Sequence, residues 1–174
     1  MNAPKQLLVA IDDFQSSISL LEYVGELAGG RDDFRIHLVH ALRPVPPRLL
    51  ESRGAEDPAE ERRIETELGR KEESWIKTAE NEAKPMLQSA RAKLTAAHVP
   101  GENIHTHLIT LIYQKDLAQE LIKTAQENHC GTIVVGRSSY PWFPKLFQAH
   151  LSDQLLTGSD ELAVWVVNGN DAAQ

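Results

Sequence analysis

Two polar segments, each directly after an apolar run, hold the residues best suited to chemistry. The first is Asp12-Asp13-Phe14-Gln15-Ser16-Ser17 and the second is Gly136-Arg137-Ser138-Ser139. A glycine lets backbone N–H groups approach a phosphate closely, and Arg137 and Lys145 are cations able to contact one, though either also reads as an ordinary solvated loop charge. Asp12, Ser138 or Ser139, and His150 comprise the acid, hydroxyl and imidazole of an acyl-transfer set. The serines lack the G-x-S-x-G elbow that would expose such a nucleophile, so no residue is assigned a catalytic role. His105 and His107 would share one face of a strand and are of metal-ligating type. No carboxylate or cysteine has matching spacing, and they read as exposed or cross-strand histidines. His37 and His40 fall on opposite faces. The single cysteine, Cys130, excludes an intrachain disulfide and a CxxC site, and reads as a small buried residue at a strand entrance.

Short β-rich runs alternate with helical periods, the pattern of a parallel sheet covered by crossover helices. Strands are expected at Lys5 to Ile11, Phe34 to Leu42, Asn103 to Leu111, Thr132 to Val135 and Glu161 to Val167. Lys5 to Ile11 is almost continuously apolar, as a strand buried on both faces should be. The short, β-branched run Thr132 to Val135 belongs beside it at the centre. The two polar segments then meet in one crevice beyond the carboxyl ends of these strands, where ligands sit in open parallel sheets. In the last strand Leu162, Val164 and Val166 point to one face and Ala163, Trp165 and Val167 to the other, which predicts burial on both sides at an edge inviting self-pairing.

Ser16 or Ser17 can cap a helix with Leu20, Leu21, Val24, Leu27 and Ala28 at helical spacing, ended by Gly29-Gly30. Asp116 can cap another, with Leu117, Leu121, Ile122 and Ala125 buried. Ala59 to Ala97 keeps a helical period through Ile64, Leu68, Trp75, Ala79, Ala83, Leu87, Ala90 and Leu94, and Pro85 should kink or interrupt it. Residues 43–58, with Pro44, Pro46, Pro47 and Pro58, read as a surface loop, so 43–70 is a loop and helix extension of one domain spanning 1–174. The charged run Glu56 to Glu73 reads as a solvated helix face with i,i+4 pairs. Tyr140-Pro141-Trp142-Phe143-Pro144 is a stiff apolar loop suited either to contacting a partner or, the simpler reading, to folding down as a lid over the crevice.

The composition, 41% hydrophobic and 25% charged, is close to the globular average and so predicts a folded chain. A formal net charge of −7 argues against nucleic acid as a partner, since binding a phosphate backbone needs a basic surface. No apolar segment is long enough to span a bilayer, and the amino-terminal run is too short for a signal peptide, so a cytoplasmic location is expected.

In element order, in VAIDD followed by a serine-led helix, and in TIVVGRSS followed by HLSDQLL and a final apolar strand, the sequence resembles the universal stress protein family over nearly its whole length. The resemblance implies a flavodoxin-like α/β fold, an open five-stranded parallel sheet of order 3-2-1-4-5 with helices on both faces. It also implies a homodimer made by pairing of two last strands across a two-fold axis, through Leu162, Val164, Trp165 and Val166. Nucleotide-binding members carry G-x2-G-x9-G-[S/T] after strand four. Gly136 keeps the first glycine, whereas Ser139 stands at the second, Ala149 at the third and His150 at the Ser/Thr position. Asp12 matches the strand-one aspartate, and the backbone at Ala41 falls where members receive adenine. The implied binding set is therefore Asp12, Ala41, Gly136, Arg137, Ser139, Ala149 and His150, with ATP or AMP as the ligand. A Cβ where φ > 0 or close approach is required costs about 1–2 kcal/mol per residue, which weakens phosphate binding tenfold or so. The expectation is a regulatory or binding domain of stress response that is not a strong ATP binder. The alternative is an adenine-nucleotide binder with slow ATPase activity.

Overall fold

The structure is a computed structural model that describes residues 5–51, 54, 56–136 and 151–168. In chain order the elements are β1 (Lys5–Ala10), α1 (Ile18–Ala28), β2 (Phe34–Ala41), α2 (Pro47–Leu50), α3 (Pro58–Ala96), β3 (Ile104–Ile109), α4 (Leu117–Glu127), β4 (Thr132–Gly136), α5 (Leu151–Gly158) and β5 (Ala163–Val167). All strand pairs are parallel and the order is β3-β2-β1-β4-β5, as expected.

Side chains alternate across a strand, so β1 feeds two cores. Leu7, Val9 and Ile11 pack with Leu20, Leu21 and Val24 of α1 and Leu87 and Leu94 of α3. Leu8 and Ala10 pack with Leu117 and Leu121 of α4 and Leu155 of α5. Helices thus cover both faces, which is why β1 and β4 are apolar at nearly every position.

Four local expectations are corrected. Pro85 does not interrupt helix α3, which runs unbroken over 39 residues. Pro85 and Asn81, whose carbonyl loses its donor, are both on the exposed side, where water can replace the missing bond. Ser17 and Asp116 occupy the N-cap positions of α1 and α4, but neither side chain makes a capping bond, both residues having helical backbone angles. The last strand is not buried on both faces. Ala163 and Val166 are exposed and Val164, Trp165 and Val167 half-buried, because β5 is an edge that pairs only with β4 among the described residues. The 43–58 stretch expected as a loop contains α2, which packs on α3, and Val45 before it is buried with its N–H donating to the Leu111 carbonyl.

Helices α3 and α4 end in the same way. His98 and His129 take left-handed angles, φ 65° and 54°, and the backbone bonds Val99 N to Leu94 O and Cys130 N to Ala125 O close each turn. This is the six-to-one closure normally built on glycine.

Candidate functional site

Past the carboxyl ends of β1 and β2 lies a crevice of about 450 Å³, within the range that holds small ligands. Strand β1 delivers Asp12 and Asp13, and β2 delivers His40, Leu42 and Arg43. Helix α3 supplies the opposite wall through Trp75, Thr78, Ala79, Glu82, Ala83 and Met86. These six recur at i, i+3, i+4, i+7, i+8 and i+11, a single helical face. Its carboxyl-terminal part packs on the sheet, and its middle extends past the strand ends to overhang the crevice.

The turn after β1 is held by its own side chains. Asp13 accepts bonds from the Ser16 backbone N–H at 3.0 Å and the Ser16 hydroxyl at 2.7 Å, while the Asp12 N–H donates to the Ser17 hydroxyl at 3.4 Å. The serines thus shape the turn instead of capping α1. Burial raises the Asp13 pKa, but the bonds from Ser16 and Gln15 and the nearby His40 outweigh it and hold the carboxyl below its ordinary range. His40 bonds through Nδ1 to the Ile11 carbonyl at 3.0 Å, leaving Nε2 as an acceptor. Burial is the main reason its pKa is lowered, against the raising effect of the Ile11 and Asp12 backbone and of Asp13.

Of the expected binding residues, Asp12 is 9% exposed and lines the crevice, and Ala41 is fully buried as the last residue of β2. Gly136 ends β4, and a Cβ there would sit 3.8 Å from Leu20 Cδ1, an ordinary contact, so no described neighbour demands glycine. Arg137, Ser138, Ser139, Lys145, Ala149 and His150 lie outside the described residues, as does the aromatic loop Tyr140 to Pro144. The acyl-transfer set is therefore represented by Asp12 alone. The α3 wall escaped the sequence reading. Trp75, Ala79 and Ala83 form its visible stripe, but helical period alone does not separate a core face from a crevice wall.

Away from the crevice, His37, His105 and His107 meet on the α4 side of β2 and β3. His37 Nδ1 is 3.0 Å from His107 Nε2, its Nε2 is 3.0 Å from Gln6 Oε1, and its ring lies 5.0 Å from that of His105. With the Gln6 oxygen as acceptor, His37 must donate from Nε2 and accept from His107. Burial, then His107, His105 and Arg35, pull its pKa down to about 4. These are cross-strand histidines, as expected, and among the described residues no group of three or more His, Cys, Asp or Glu is arranged to hold a metal. Cys130 is buried, and burial pushes its thiol up to about 11. No helix among the described residues is long and apolar enough to cross a membrane.

A model of the universal stress protein family matches residues 4–168. No curated protein matches the chain. Among solved structures, hypothetical protein MJ0577 is similar with a TM-score of 0.70 at 13% identity, over 98% of this chain and 100% of that one. A universal stress protein in complex with cAMP is similar with a TM-score of 0.57 at 14% identity, over 96% of this chain and 98% of that one. A universal stress protein from Archaeoglobus fulgidus in complex with dAMP is similar with a TM-score of 0.53 at 16% identity, over 95% and 97%.

Proposed function

Since the chain belongs to the universal stress protein family, we propose that it is a regulatory binding domain of stress response, acting in the cytoplasm as one unit, that receives the adenosine part of an adenine nucleotide. The observation that carries this reading is the 450 Å³ crevice beside Asp12 at the ends of β1 and β2, in a fold shared with proteins crystallised with cAMP and dAMP. Ser139, Ala149 and His150 replace the small residues that bring backbone donors to phosphates, so the grip on ATP is weak and no hydrolysis is assigned. Calorimetry with adenosine, AMP and ATP, with and without magnesium, tests the reading. Adenosine and AMP should bind, and ATP should gain little over AMP. Failure of all three to bind overturns the reading. A large ATP-specific, magnesium-dependent gain favours the second one, an ATP binder with slow hydrolysis, which the retained Gly136 supports.

We also propose that the chain is a homodimer through β5, with Leu162, Val164, Trp165 and Val166 in the contact. Val166 is 47% exposed on an edge strand, and pairing with a second copy would cover it and satisfy the outer backbone groups. Val164→Pro removes a ladder donor, so its sedimentation coefficient should fall to that of a monomer. An unchanged coefficient removes β5 as the interface.

A further inference from the structure

We propose that Trp75 is the stacking wall of this crevice and that helix α3 thereby selects its ligand, a planar heterocycle carrying hydrogen-bond donors, as in adenosine. The inference rests on the reading of the crevice as a nucleoside site and adds what decides its specificity. The strand side of the crevice presents the polar groups of Asp12, Asp13, His40 and Arg43, while the α3 side presents the indole of Trp75 together with Ala79, Met86 and the polar Thr78 and Glu82. A flat ring entering between these walls finds acceptors on one side and an aromatic plate on the other.

Two observations separate Trp75 from an ordinary core residue. It is only half-buried, and the first buried position of α3 is Ala83, two turns later, so the indole packs at the crevice and not within the sheet core. The crevice also lines up three carboxylates, Asp12, Asp13 and Glu82, against one guanidinium, Arg43. That excess of acceptors suits an exocyclic amine and ribose hydroxyls and repels phosphates.

The test uses full-length protein with Trp142→Phe and Trp165→Phe, so that Trp75 is its lone indole. Adenosine should quench the remaining emission saturably, with the midpoint found by calorimetry. Trp75→Ala in the natural background should weaken adenosine binding about tenfold, within the range measured for base–aromatic stacking. Trp75→Phe should recover most of that loss, which separates stacking from a folding defect, and urea unfolding should place both variants near the parent. If adenosine binds the natural protein but emission is unchanged and Trp75→Ala binds equally well, the stacking role is wrong while the nucleoside reading stands. If adenosine, AMP and ATP all fail to bind the natural protein, both fall together.

Discussion

Lowering the pH from 7.5 to 5 should destabilise the protein through His37 in particular. This imidazole is 6% exposed and stays neutral by accepting a proton bond from His107 while donating to Gln6, with a folded pKa of about 4 against about 6.5 when unfolded. A depressed pKa means that the unfolded chain takes up the proton first. The stability is therefore complete above about pH 6.5, drains away as the pH falls toward 4, and is fully lost below that. The whole gap corresponds to about 3 kcal/mol, of which about 2 kcal/mol is lost by pH 5. His37→Gln keeps an acceptor for His107 and a donor for Gln6 but cannot titrate. Urea unfolding followed by circular dichroism at the two pH values gives the comparison. The natural protein should lose about 2 kcal/mol more than the variant over this interval, roughly 1 M in urea midpoint. His40, whose pKa burial also lowers, titrates in both proteins and cancels in the difference, whereas His107 is bonded to His37 and titrates with it, so the difference reports the pair. Equal losses in the two proteins would refute the assignment of a buried, neutral His37.

Gly29→Ala should destabilise by about 1–3 kcal/mol in thermal or urea unfolding, because the new Cβ would be driven into the Ala97 carbonyl and to 2.7 Å from the Gly25 carbonyl, both rigid backbone. The same change at Gly69, inside α3 with nothing within 4 Å, should stabilise by about 0.5–1 kcal/mol. His129→Gly should raise the melting temperature by a few degrees, since glycine relieves the left-handed strain at φ 54° at the end of α4; no change would mean that the imidazole contributes as much as the strain costs. Ser139→Gly, Ala149→Gly and His150→Ser together should raise ATP affinity by tenfold or more, and AMP affinity less, in calorimetry, whereas a folded triple variant without ATP binding would point to the Tyr140 to Pro144 loop as the block.

Hydrophobic period was enough to find the five strands, and the family resemblance supplied their order. Lys5 to Ile11 and Thr132 to Val135 are apolar at nearly every position because strands buried on both faces have no polar side to show, and this placed β1 beside β4. Asp12 was legible for the same reason, as the first polar residue after a central strand. The crevice expected at the ends of those two strands opens instead past β1 and β2, walled by α3 and, among the described residues, lined by none of β4. The edge strand β5 misled, since its apolar alternation looks like burial but the fold leaves Val166 exposed. The serines misled too. A hydroxyl before a helix reads as a cap, yet Asp13 and the Asp12 N–H, brought close by the tight turn, took those bonds. Contacts between distant segments were decided only in three dimensions. Trp75, 63 positions from Asp12, shares its crevice because α3 outruns the sheet, and His37 meets His107 because two parallel strands fall in register. Local pattern determines which residues must be buried, because each element has its own period. Which buried or half-buried residues face one another depends on how the elements pack, a relation that no local period records.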